Sequence, residues 1–337
     1  MPATIRDVAS AAGVSKATVS RVAAGTDYPI GAETRARVLA AIKELNYRPN
    51  AWASGLTRGN SQLVGVVAPD MSNPYYPEAV RGLEDVANER GYQVMVCSTD
   101  RDANKANTYI DALLKKRVAG LAILGGGHEI ELSAADIRSY GAAAVMIGRP
   151  SSTFSTVRAQ NSSAASAMTE HLIRRGHKRI GFIAGSPGSA ATVERQRGYE
   201  RALKTNSVSR GVVEEGGYTE AGGYAALARM MNSEHPPTAV FAANDRMALG
   251  ALAALSDLGF RVPDDVALAG FDDIPMSRYV RPALTTVSVS ARQLGSEAMR
   301  LLLNTEGQTA RPRHIRVKTR LIIRKSCGGN EDAIAEK

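Results

Sequence analysis

Residues 4–25 read TIRDVASAAGVSKATVSRVAAG, and the spacing of their apolar and capping residues spells two short helices joined by a tight turn. Thr4 followed by Asp7 sets a side-chain oxygen beside the first orphan amides and an acid near the helix N-terminus. Ile5, Val8, Ala9 and Ala12 recur at helical spacing and make one buried stripe. Gly13 supplies the permissive backbone needed to leave that helix, and Ser15, with Thr18 three residues on, caps the next. On the second helix Val19, Val22 and Ala23 fall on one side. Lys16, Ala17, Ser20 and Arg21 fall on the other, free to face a partner, and Gly25 stops the helix. A helix, a short turn and a second helix is a layout that reads DNA.

Charge agrees with a polyanionic partner. The chain carries +9 over 337 residues, and its first 60 hold Arg6, Lys16, Arg21, Arg35, Arg37, Lys43, Arg48 and Arg58 against Asp7, Asp27, Glu33 and Glu44. That leaves +4 on the head. After a Pro- and Gly-containing loop, Thr26 to Gly31, the stretch ETRARVLAAIKELNY predicts a third helix whose Val38, Leu39, Ile42 and Leu45 close a small core against Val8 and Val19. Residues 48–60, RPNAWASGLTRGN, open on a Pro49–Asn50 helix start and leave room for about two turns, too short to be stable alone.

From Gln62 the pattern changes to short apolar runs separated by helical stretches: LVGVVAP, YQVMVCST, VAGLAILG, AAAVMIG, RIGFIAG, TAVFAAND and VALAGFDD. This alternation predicts an α/β core of parallel strands with helices on both faces, the first four runs in one lobe and the later ones in a second. TTVSV (285–289) and HIRVKTRLII (314–323) read as returning strands, so the chain is expected to cross between lobes more than once. The tail from Gly328 reads as polar and frayed.

Ligands of open α/β sheets meet the carboxyl ends of strands, which directs attention to Asp70, Asp100, Arg149, Asn244 and Asp272. Tyr75 and Tyr76 open the first helix of the core and offer aromatic faces. Arg195 opens a helix of the second lobe, and Tyr218 follows EEGG. Donors, acceptors and flat apolar faces suit a polyol or a heterocycle.

Other classes find less support. Cys97 and Cys327 lie far apart with no metal-ligand spacing around them, and His128, His171, His177, His235 and His314 show no HExxH-type pairing, so no metal and no cofactor is expected. Gly125–Gly127 lack the GxGxxG spacing, and no GxxxxGK[ST] or GxSxG occurs, which leaves a nucleotide-dependent α/β enzyme a remote alternative. The N-terminus enters a capped helix at once with no leader, and no apolar run reaches membrane-spanning length, so a cytoplasmic protein without membrane contact is expected.

The stretch from Asp7 through Gly25 closely resembles the head of the lactose-repressor (LacI/GalR) family, and the resemblance extends over essentially the whole chain. It implies a helix-turn-helix head at 1–48, a hinge helix or linker at 49–60, a two-lobed type I periplasmic-binding-protein-like core at 61–330 and a polar tail at 331–337. It implies a regulator, most simply a repressor, that binds palindromic double-stranded operator DNA as a homodimer and responds allosterically to a sugar-like effector. A nucleoside or purine is the second effector class. The tail lacks the leucine-heptad extension that makes some relatives tetramers.

On this resemblance the DNA-facing set is Thr4, Ser15, Lys16, Ala17, Ser20 and Arg21, with Leu56 as the hinge leucine pushed into the minor groove. The effector set is Tyr75, Tyr76, Arg149, Arg195, Tyr218, Asn244 and Asp272. Arg195 stands in the R-x-x-G-Y pattern, Asn244 in AANDRMALG and Asp272 in GFDD. The chain departs from the family pattern at Gly31, where a serine is usual, at Ser54, at Gln160 in place of an aspartate, and at Val289 in place of a glutamine.

Overall fold

The structure is a computed structural model that describes residues 3–23, 28–47, 61–125, 133–209, 211–304, 311–329 and 333–335. Its internal contacts divide the chain into two compact units, Met1–Gln62 and Leu63–Lys337. The expected hinge at 49–60, with Trp52 and Leu56, and the stop at Gly25 lie outside the described residues.

The first unit is helical. α1 (Ile5–Ala12) starts as expected: the Asp7 carboxylate accepts from both the amide and the hydroxyl of Thr4 at 2.8 Å. Those bonds from Thr4 hold the Asp7 carboxyl below its ordinary pKa. Gly13 leaves the helix in the left-handed region, φ 63°. α2 (Lys16–Ala23) is capped by Ser15, whose Oγ accepts from the Thr18 amide at 3.1 Å. α3 (Ala32–Glu44) begins at Gly31 with no side-chain cap.

Val8, Val19 and Val38 meet in the centre of this unit, each fully buried. Two details of α3 differ from expectation. Leu39 is half exposed, and Ala41 is buried instead. Counting from Val38, the same face is reached by Ala41, Ile42 and Leu45, whereas Leu39 points about 100° away. The helix also ends at Glu44 rather than running through Tyr47, because Asn46 turns left-handed at φ 45°.

The second unit has two α/β lobes. In the first, β1 (Leu63–Ala68), β2 (Gln93–Ser98), β3 (Gly120–Leu124), β4 (Ala143–Ile147), β5 (Ser155–Ala159) and β11 (His314–Val317) form one sheet, ordered β11-β5-β4-β3-β1-β2, with every pairing parallel. In the second, β6 (Ile180–Ala184), β7 (Val213–Glu215), β8 (Ala239–Ala242) and β9 (Ala267–Ala269) form a parallel sheet ordered β7-β6-β8-β9. β3, β6 and β8 are buried at every residue, which is why they read as unbroken apolar runs rather than as alternation.

The chain crosses between lobes more than once, as expected. It leaves the first lobe after β5 and comes back as helix Ala291–Leu303. That helix packs on helix Tyr75–Glu89 so closely that a Cβ on Gly82 would overlap the Arg292 carbonyl and one on Gly295 the Ala79 carbonyl. The returning run 314–323 divides at Lys318: β11 joins the first sheet, while β12 (Thr319–Ile323) pairs antiparallel with β10 (Thr286–Val289) beside the second lobe. The tail is not wholly frayed. β13 (Ala333–Ala335) adds antiparallel to β12, an edge whose unpaired backbone groups accept a further strand.

Candidate functional site

On the head, Lys16, Ala17 and Arg21 are exposed and Ser20 half-exposed along one face of α2, opposite buried Val19 and Val22. The Arg21 guanidinium lies 3.9 Å from the Tyr28 ring centroid. Thr4 and Ser15 spend their side chains on caps: Thr4 on Asp7, and Ser15 on the Thr18 amide and hydroxyl. This face can present two cations, Lys16 and Arg21, and small side chains to a groove while its back stays anchored in the core.

Within the second unit, a cavity of about 380 Å³ is lined from both lobes. Tyr75, Tyr76, Arg195, Tyr218, Asn244 and Asp272 all line it, although they come from widely separated parts of the chain. Arg149 does not. It lines a separate pocket of about 20 Å³ shared with Pro69 and Gly125. The end of β4 reaches the main cavity through Gly148, which turns the chain at φ 87° one residue before Arg149.

Arg195 and Asp272 form a buried pair. Arg195 Nη2 donates to Asp272 Oδ1 at 3.2 Å, Nε donates to Asn161 Oδ1 at 3.1 Å, and Nη1 donates to the Ala243 carbonyl. The guanidinium lies over Phe271, its Cζ 3.7 Å from the ring centroid. Burial pushes the Asp272 carboxyl up to about 6 despite the Arg195 charge. Next to it, burial raises Asp245 well above the ordinary carboxylate value, with the Thr286 hydroxyl donating to Oδ1 at 2.6 Å and the Ile274 amide to Oδ2 at 2.9 Å.

Asn244 does two jobs. Its Oδ1 caps helix Asp245–Asp257 by accepting from the Met247 amide at 2.9 Å. Its Nδ2, in a side chain only 1% exposed, has no hydrogen-bond partner among the described residues. A buried donor left unmet beside a cavity is a cost that a ligand acceptor relieves.

Aromatic faces complete the walls. Tyr75 and Tyr76 stand edge to face, centroids 5.4 Å apart, and burial raises both phenols above their ordinary pKa. The Tyr218 hydroxyl meets Thr192 Oγ1 at 2.7 Å and Ser189 Oγ at 3.3 Å. Arg101, Tyr218 and Asp272 all hold left-handed backbone, φ 64°, 65° and 114°. Non-glycine residues hold such angles at a cost, and they gather at binding sites.

Sequence reasoning missed Asn161, Arg101 and Ser189 as wall residues, and Thr192 as the partner that holds the hydroxyl of the wall residue Tyr218. Asn161 sits just past β5, a strand whose STVRA pattern lacks an unbroken apolar run. Arg101 follows Asp100 beyond β2, so the strand-end rule that singled out Asp100 stopped one residue short.

A helix-turn-helix head joined to a two-lobed, ligand-pocketed α/β core defines a ligand-responsive DNA-binding regulator. Comparison with known proteins agrees. Residues 4–50 match the bacterial regulatory proteins of the lacI family, and residues 169–327 match a periplasmic binding protein-like domain. The chain is 35% identical over 332 residues to the HTH-type transcriptional repressor PurR of Haemophilus influenzae (strain PittEE), covering 96% of this chain and 98% of that protein.

Among solved structures, it is similar to a lac repressor dimer bound to operator and the anti-inducer ONPF, at 30% identity and a TM-score of 0.83, covering 97% of this chain and 99% of that one. It is also similar to the transcriptional regulator CelR in a cellobiose complex, at 32% identity and a TM-score of 0.71, covering 96% and 99%. The chain belongs to the LacI family of bacterial regulatory proteins and is a DNA-binding transcriptional repressor, not an enzyme. Among the described residues, no helix is long and apolar enough to cross a membrane.

Proposed function

We propose that the cavity takes a sugar or sugar derivative and that its occupancy sets the affinity of the head for palindromic operator DNA, bound by a homodimer in the cytoplasm. The observation that carries the reading is the orphan Asn244 Nδ2 beside the Asp272–Arg195 pair. Hydroxyls both donate and accept, so one polyol can meet Asp272 as a donor and Asn244 as an acceptor, while its C–H faces rest on Tyr75, Tyr76 and Tyr218. The cellobiose carried by the CelR relative supports this class. A nucleoside or purine is the second reading, favoured by the same aromatic faces, against which a base can stack.

The division into a head at 1–48, a hinge at 49–60, a core at 61–330 and a tail at 331–337 belongs to this proposal. So does DNA contact by Thr4, Ser15, Lys16, Ala17, Ser20, Arg21 and Leu56. In the effector set Tyr75, Tyr76, Arg195, Tyr218, Asn244 and Asp272 face the ligand, and Arg149 supports the wall from the adjoining pocket.

The test is a thermal-stabilisation screen of sugars, phosphosugars and nucleosides on the full chain, repeated with operator DNA. A ligand that binds the folded chain raises its midpoint by mass action. Sugars that stabilise wild type but not Asp272→Ala support the reading. Stabilisation by nucleosides alone selects the second one, and none by any class at millimolar concentration refutes both.

A further inference from the structure

Where the two lobes of the core face one another beside the cavity, one arginine is tied to both. Arg246 Nε and Nη2 donate to Glu220 Oε1 and Oε2, each at 2.7 Å, a two-pronged bond inside the second lobe. Its Nη1 reaches across to the first lobe, donating to Asp70 Oδ2 at 3.0 Å and to Ser72 Oγ at 3.3 Å. The guanidinium side chain is 13% exposed and the Asp70 side chain 18%, so solvent screens the contact little.

The anchors on both sides are preorganised. Asp70 Oδ1 accepts from the Ser72 amide at 2.9 Å and the Ser72 hydroxyl at 2.6 Å, which fixes the carboxylate just beyond β1. Asp70 Oδ2 also lies 3.6 Å from Nη2 of Arg101, a cavity wall residue. On the other side, Arg246 lies in the first turn of helix Asp245–Asp257, where a cation faces the positive end of the helix dipole. Carboxylates from two directions offset that cost. The helix also carries Asn244 as its cap, so whatever fixes Arg246 against Asp70 fixes the orphan Asn244 donor relative to the opposite wall.

We propose that Arg246 is a positioning residue: bridging Glu220 and Asp70, it holds the two cavity walls at their closed spacing before any effector arrives. For its consequence in regulation this rests on the cavity being the effector site. The clasp itself does not. Breaking a charge-assisted bond shifts the closed-to-open ratio by about tenfold, the equivalent of about 1.4 kcal/mol.

The experiment is small-angle scattering and hydrogen exchange on the effector-free full chain at low salt. Arg246→Met and Asp70→Asn each enlarge the radius of gyration and speed exchange across residues 70–73. Arg246→Lys, which still reaches Asp70, stays near wild type. Glu220→Gln, which leaves the bridge to Asp70 in place, does so too. Wild-type scattering from both Arg246→Met and Asp70→Asn overturns the proposal, as does opening in Arg246→Lys as large as in Arg246→Met. A purely structural role moves melting temperature without this pattern. Because no effector enters the measurement, a failed sugar screen leaves it intact.

Discussion

Replacing Asp272 by asparagine should stabilise the repressor at alkaline pH while weakening its effector site. In the folded chain the carboxyl is pushed up to about 6 from 3.8, because it is buried and the Arg195 charge repays only part of the lost hydration. A group whose folded pKa is raised favours folding fully below its unfolded pKa, and that support is lost as pH rises through the folded value. Each tenfold in proton affinity is worth about 1.4 kcal/mol, so at pH 8 the ionised side chain costs about 3 kcal/mol, and at pH 5 about half as much.

Asparagine keeps the shape and leaves an Oδ1 to accept from Arg195 Nη2, but it has no charge to bury. Thermal and urea melts of wild type and Asp272→Asn at pH 5 and pH 8 measure the difference. The variant should gain stability at both, more at pH 8, and should lose the midpoint rise produced by a sugar that binds wild type. A variant less stable than wild type at pH 8, or one whose gain is the same at both pH values, refutes the electrostatic account.

Arg21→Ala should relax base preference at one operator position by about 1–3 kcal/mol in a binding-site selection; unchanged preference removes Arg21 from the reading face. Leu56→Ala should weaken specific binding far more than non-specific binding, since only a kinked operator accepts a wedge, and an equal loss on both DNAs argues against that role. Gly295→Ala should destabilise the core by about 1–3 kcal/mol, because its Cβ meets the Ala79 carbonyl and the two helices must part. Equilibrium urea unfolding reads that cost, and a neutral outcome contradicts the close packing.

Local patterns carried most of the architecture. The capped stripe at residues 4–23 determines two helices because capping and a 3.6-residue period are short-range properties, and the structure places Val8, Val19 and Val38 together as that period requires. The parallel strands were legible for a similar reason: a strand covered on both faces is apolar throughout, as β3, β6 and β8 are. β5 and β7 were not, since STVRA and VEE carry polar residues that find partners elsewhere, Arg158 in β5 pairing with Glu194 at 2.7 Å.

The end of a strand can be read from its own residues, which is how Asn244 and Asp272 were found. Convergence cannot. That Asp272 meets Arg195, that Asn161 braces the same guanidinium, and that Arg246 reaches Asp70 depend on where the chain crosses between lobes. The pKa of Asp272 and the unmet donor of Asn244 are likewise set by atoms far away in sequence, because burial and hydrogen-bond satisfaction exist only once the lobes have closed around the cavity. The sequence determined which elements form and which residues stand at their ends; only the tertiary structure decided which of those ends share one cavity, because that follows from packing between segments that local propensity does not encode.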